Sequence, residues 1–259
     1  MDKPPLDETE HVVRLTRRRW LTAGVAVPLA SAGATVVLPH EVPWAEGRAD
    51  MPPEALADGS AAKRAGYGYF QPAEAAFVEA AVARLIPADD NGPGAMEAGV
   101  PVFIDRQLAG EYGRGGRWYM QGPWARGEAT QGYQSRLTPA AMYRAAIREI
   151  DQAVASAGGS KGFAGLPHDQ QDDWLHKLEN GDITLQTVDA KAYFQLLLQN
   201  TFEGFWCDPI YGGNRGMVGW KLIGFPGARY DHSPYVSEHG KPYPLPPVGI
   251  SGRPEWNQG

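Results

Sequence analysis

Apolar residues recur at helical spacing in five stretches of the chain. Pro72 suits a first helical turn, and Phe77, Ala80, Ala81, Arg84 and Leu85 repeat behind it until Pro87 stops them. A shorter run from about Pro101 to Leu108 offers Val102, Phe103, Ile104 and Leu108 for burial. Thr138–Pro139 reads as an N-cap followed by a first-turn proline, with Ala141, Met142, Ala145, Ile147, Ile150 and Val154 carrying the pattern to Gly158. The next helix opens at Pro167, carries Trp174, Leu175 and Leu178, and stops at Asn180–Gly181. The last starts near Thr187 and runs through Ala192, Tyr193, Phe194, Leu196, Leu197 and Leu198 to Phe202 or Phe205. Alternating β-branched runs are scarce, so the pattern predicts a mainly α fold: a small helical domain with long ordered Gly-, Pro- and aromatic-rich loops and an extended C-terminal tail.

The connecting stretches are unusual in kind. Gly110 to Gly132 holds Trp118, Tyr119, Pro123 and Trp124, and such a loop in a compact domain either binds something or buries its aromatics. Phe202 to Tyr230 holds the single cysteine, several large aromatics and glycines too closely spaced for an ordinary helix or strand. Glycine permits positive φ and the aromatics supply contact area, so this stretch reads as an ordered loop pressed against another surface. Beyond it, Lys241 to Pro247 is proline-rich and extended. Tyr243, Leu245, Val248, Ile250 and Trp256 are costly to leave in water, which favours a strap over a neighbouring protein.

The N-terminus reads as an address. Arg17, Arg18 and Arg19 precede Trp20 and Leu21, and a mildly apolar run follows from Ala23 to Leu38. That is the form of a twin-arginine export signal, with Ala-x-Ala cleavage positions after Ala32 and Ala34. The run is short and weakly apolar for a retained anchor, so no membrane span is expected in the mature chain. The boundaries that follow are a signal over 1–38, a Pro/Ala/Gly-rich arm over 39–69, a helical domain over 70–235 and a proline-rich tail over 236–259.

Composition then removes whole classes. A net charge of −6 gives no basic footprint for nucleic acid. One cysteine excludes an internal disulfide, a Cys-rich zinc site, an iron–sulfur cluster held by this chain alone and a Cys-x-x-Cys-His haem attachment. The 32 Gly and 22 Pro point to long ordered loops, which a partner surface would hold.

Candidate chemistry is thin. Gly158-Gly159-Ser160-Lys161-Gly162 has the Gly-x-Ser-x-Gly spacing but lacks the preceding strand that a nucleophile elbow requires. His168, His176, His232 and His239 show no metal-ligand spacing, and the acidic Asp89–Gly94 turn lacks the alternation of a calcium loop. Asp169, Asp172 and Asp173 suit a helix N-terminus. Gly213, Gly216 and Gly219 do not follow the spacing of a phosphate-binding loop. Cys207 is either a buried inert thiol or one half of a disulfide to another chain.

Two segments resemble the gluconate 2-dehydrogenase subunit 3 family, the small subunit of membrane-bound flavoprotein dehydrogenases. One is Phe205-Trp206-Cys207-Asp208-Pro209-Ile210-Tyr211-Gly212-Gly213-Asn214, continued by Trp220 to Gly227; the other is Phe77 to Asp90 with Gly99 to Leu108. The resemblance implies a subunit without catalytic residues or cofactors of its own. It implies as partners a large FAD-dependent dehydrogenase of the glucose–methanol–choline type, acting on a sugar, sugar acid or polyol, and a multihaem cytochrome c. FAD and haem c, with an iron–sulfur cluster as a further candidate, would then sit in those subunits. Arg17, Arg18, Trp20 and Leu21 would address the complex to the export machinery and the periplasm, where the chain is membrane-associated through the complex. Trp206, Cys207, Asp208, Pro209, Tyr211, Gly212, Gly213, Asn214 and Trp220 are the expected partner interface. A stand-alone exported enzyme and a binding module for another envelope protein are the competing readings.

Overall fold

The computed structural model describes residues 66–252, except 126, 127, 129, 134 and 160. The export segment with Arg17, Arg18, Trp20 and Leu21, the arm before residue 66, Ser160 and Trp256 lie outside the described residues.

Seven α-helices make up the described architecture: α1 (Pro72–Leu85), α2 (Val100–Ala109), α3 (Glu111–Arg114), α4 (Pro139–Ser156), α5 (His168–Asn180), α6 (Ala190–Trp206) and α7 (Val218–Ile223). Among the described residues there are no β-strands, only isolated bridges at Asp89–Gly92 and Gly227–Val248. The fold is mainly α, as the periodicity predicts. No described helix is long and apolar enough to cross a membrane.

α6 is the axis of the bundle, packing against α1, α2, α4, α5 and α7. Its buried positions, Tyr193, Phe194, Leu196, Leu197, Asn200, Thr201, Gly204 and Phe205, form a stripe wide enough to face several neighbours. Gly204 leaves room for Phe103 of α2: a Cβ there would stand 2.8 Å from Phe103 Cδ1. Asn200, a polar residue of the stripe, links three elements. Asn200 Nδ2 donates to Tyr143 Oη at 3.0 Å, and Tyr112 Oη donates to Asn200 Oδ1 at 2.9 Å.

Local chemistry sets the helix ends. Thr138 Oγ1 accepts from Ala141 N, and Gly181 closes α5 in the left-handed region. α6 starts at Ala190, later than the apolar pattern predicts, because Asp189 caps it by accepting from Ala192 N at 2.8 Å. Thr187 is used elsewhere: its N–H and hydroxyl, with Gln186 N, donate to the Glu149 carboxylate. The Gly110–Gly132 stretch contains the short helix α3, and its Trp118 packs on Tyr112 and Tyr133.

Asp105 on α2 ties the entering chain to the bundle. It is buried, and its carboxylate accepts from the N–H groups of Gly68, Tyr69 and Phe70 at 2.8, 2.9 and 2.9 Å. Gly68 and Tyr69 are thereby fastened to the helices. Asp105→Ala leaves three backbone donors without an acceptor and is expected to lower stability by about 3 kcal/mol. Asp105→Asn, which keeps one acceptor oxygen, is expected to lose less; urea unfolding of both variants measures the difference.

Candidate functional site

Residues following α6 are organised by the end of that helix. The final carbonyls of a helix have no intrahelical donors and need partners from elsewhere. Cys207 N donates to Glu203 O at 2.8 Å, which is ordinary helical continuation. The remainder come from further along the chain. Asn214 N donates to Gly204 O at 2.8 Å, Asn214 Nδ2 to Cys207 O at 2.9 Å, and Trp220 Nε1 to Trp206 O at 2.7 Å.

Asn214 is the pivot of this arrangement. It is fully buried, and its Oδ1 also accepts from Gly219 N at 2.8 Å, which fixes the first turn of α7. Its backbone is left-handed (φ 43°), a conformation Asn tolerates better than most side chains. The approach is tight enough to demand glycine at its neighbour. A Cβ on Gly213 would lie 2.1 Å from Gly204 O and 2.9 Å from Cys207 Sγ.

Asp208 performs the second fastening. Its Oδ1 accepts from Ile210 N at 3.0 Å, and its Oδ2 accepts from Ile250 N at 2.6 Å. The described part of the proline-rich tail is therefore strapped onto this chain's own loop. Ala228 N donates to Val248 O at 2.7 Å and Val248 N to Pro226 O at 3.2 Å, burying Val248. A backbone that proline has stripped of donors is satisfied here by the few N–H groups it retains.

The residues named from sequence fall into two groups. Asp208, Gly213, Asn214 and Trp220 are buried within the chain, while Trp206, Cys207, Pro209 and Gly212 are half-buried. Tyr211 is 45% exposed. Ile223 (63%), Phe225 (44%) and Ile250 (54%) are exposed as well, none of which the glycine–aromatic pattern singled out as surface residues. Arg106 and Arg215 were likewise missed. Arg106 lies on α2, distant in sequence, yet its guanidinium rests against Gly212.

Cys207 is a free thiol that donates to Gly204 O at 3.4 Å. Burial pushes it up to about 12, so it stays protonated at neutral pH. A protonated thiol is a poor attacking group in disulfide exchange, which favours the inert reading of the two.

Elsewhere the chemistry is sparse. No group of three or more His, Cys, Asp or Glu among the described residues is close enough to hold a metal ion. His176 Nδ1 sits 3.3 Å from Glu179 Oε2, His232 packs edge-on to Tyr243, and His168 and His239 are exposed. The Gly-x-Ser-x-Gly stretch follows α4 with no described strand before it. A cavity of about 440 Å³ is lined by Trp118, Tyr119, Met120, Pro123, Trp124 and Tyr133. Another, of about 420 Å³, lies at the N-terminus of α2 beside Tyr67, Glu79, Glu97 and Arg215.

A helical domain whose principal helix is capped by a distant, tightly folded loop defines a scaffold class, and comparison with known proteins makes it particular. The model of the family described as "Gluconate 2-dehydrogenase subunit 3" matches residues 72–227, more than half of the chain. The chain belongs to this family, and so to the subunits of a multi-subunit dehydrogenase complex. No curated protein and no solved structure matches it. The matched span opens at α1 and closes at Gly227, where the tail joins the loop.

Two outcomes test the site's construction. Asn214→Ala removes both amide bonds, strands Cys207 O and Gly219 N, and is expected to cost about 3 kcal/mol in urea unfolding. Cys207 is expected to react with a thiol reagent at pH 8 only after denaturation, and the complex is expected to run unshifted on non-reducing gels. Prompt native labelling or a disulfide-dependent band contradicts the inert thiol.

Proposed function

We propose that this chain is the non-catalytic small subunit of a periplasmic dehydrogenase complex and the export escort of its flavoprotein. In this reading the twin-arginine segment carries the folded pair across the membrane. The chain then remains bound to a large FAD-dependent subunit of the glucose–methanol–choline type that oxidises a sugar, sugar acid or polyol. A multihaem cytochrome c holds the complex at the membrane and takes the electrons. FAD and haem c belong to those partners.

One observation carries the reading beyond family membership. Of the ten large apolar side chains exposed among the described residues, seven lie between Tyr211 and Ile250. They stand on a segment whose backbone is fastened from inside by Asp208, Asn214 and Val248. Such a surface loses little conformational freedom when it meets a partner, and its apolar groups gain from leaving water. The acidic net charge and the absence of a metal-ligand cluster among the described residues give no competing chemistry equal support.

The large subunit produced alone is expected to remain inside the cell, without periplasmic flavin-loaded activity. Wild-type small subunit restores it, and Arg17→Lys with Arg18→Lys does not. Ile223→Asp on the exposed surface is expected to weaken co-purification about tenfold or more without lowering the melting temperature. Full periplasmic activity of the large subunit without this chain would sink the escort role.

A further inference from the structure

Two arginines stand beside the loop, Arg106 with the charge of Asp105 acting on it and Arg215 in a cavity shared with Glu79 and Glu97. Arg106 and Arg215 are both half-buried, and neither makes an ion pair among the described residues. Arg84 pairs with Asp172 at 2.7 Å, Arg144 with Glu74 at 3.4 Å and Arg114 with Glu111, whereas half-buried Arg229 donates to Pro246 O and lies over the Tyr243 ring. Arg106 Nη1 is buried with no hydrogen-bond partner. Burial, and after it the charge of Arg215, holds the Arg106 guanidinium below its ordinary proton affinity. Leaving such a donor unpaired is unfavourable, more so for a charged one.

The backbone holds both groups in place. A Cβ on Gly212 (φ 99°) would stand 2.7 Å from Arg106 Nη1, and one on Gly99 (φ 76°) would stand 2.8 Å from Arg215 Nη2. Each guanidinium lies across a glycine that is left-handed and leaves no room for a side chain. Arg215 is further fixed by its own N–H, which donates to Ala98 O at 2.9 Å. The hydrogen bonds of the nearby carboxylates go to other donors: Asp105, whose charge acts on Arg106, accepts from three N–H groups, and Glu79 and Glu97, which line the cavity of Arg215, accept from Tyr67 Oη and Gly94 N. In a chain of net charge −6, two guanidinium groups thus lie against Gly212 and Gly99 without a carboxylate at ion-pair distance among the described residues.

We propose that Arg106 and Arg215 are the electrostatic anchor of the subunit interface, receiving carboxylate side chains of the partner dehydrogenase subunit. The proposal rests on the functional reading above. A guanidinium presents a planar fork of donors that matches a carboxylate, and a placed pair orients the partner where an apolar surface alone does not.

The test uses the full chain and the co-expressed dehydrogenase subunit, with Kd measured across a salt series. Arg215→Glu and Arg106→Gln are expected to weaken binding about tenfold or more and to flatten the dependence of Kd on salt, while Arg215→Lys keeps most of the affinity. Melting temperatures check that each variant is folded. If folded Arg215→Glu binds as tightly as wild type while Ile223→Asp does not, the anchor is wrong and the apolar surface stands. If wild type itself does not bind, the functional reading fails with it. Succinate titrated into the isolated chain serves as the small-anion probe. Saturable binding lost in Arg215→Glu assigns the pair to a free anion and overturns the proposal.

Discussion

A helix that ends inside a protein must find donors for its last carbonyls, and in this chain that demand falls on the C-terminus of α6. α6 is the element that the other long helices pack against, so its end cannot fray without loosening the bundle. The donors are Asn214 and Trp220, both beyond the helix, and reaching back to it forces the intervening chain into a sharp fold. Gly213 is the consequence: only a residue without a side chain passes within 2.1 Å, measured from its would-be Cβ, of Gly204 O. The same requirement fixes where α7 starts, because the Asn214 side chain bonds both the loop and Gly219 N.

Once the loop is folded in this way its outer side is settled as well. Asp208 reaches the tail through Ile250 N, and the Gly227–Val248 pairing closes a small layer over α6. Gly227 is required there, since a Cβ would meet Val248 O at 2.1 Å. Inward-facing groups are spent on hydrogen bonds, and apolar side chains that do not fit inside are left outward. A rigid interior and an apolar exterior in one segment are what a subunit surface needs, and membership of a dehydrogenase-subunit family gives that surface a setting.

The five longer helices were legible because each carries its own signal, whereas the short α3 and α7 lie in stretches whose glycines and aromatics read as loop. The apolar period, first-turn prolines at Pro72 and Pro139, and the glycine after Asn180 all act within one or two turns. The Phe202–Tyr230 stretch announced order through its glycines and aromatics, but not which side of it faces in. That division depends on pairings such as Asn214 with Cys207 and Asp208 with Ile250, and the latter spans a separation no local pattern encodes. The apolar residues of the tail are visible in the sequence, but its fastening to Asp208 and Gly227 within the chain is not. Arg106 escaped notice for the opposite reason: an arginine on an amphipathic helix looks solvated until the fold lays Gly212 against it.

The account stands on the loop being built before any partner arrives. Hydrogen–deuterium exchange on the isolated chain and on its complex with the dehydrogenase subunit measures this directly. The amides of Asn214, Gly219 and Ile250 are expected to exchange slowly in the isolated chain, with those of Val218–Ile223 slowed further in the complex. Rapid exchange of Asn214 and Gly219 in the free chain would mean that the partner, not the end of α6, folds the loop.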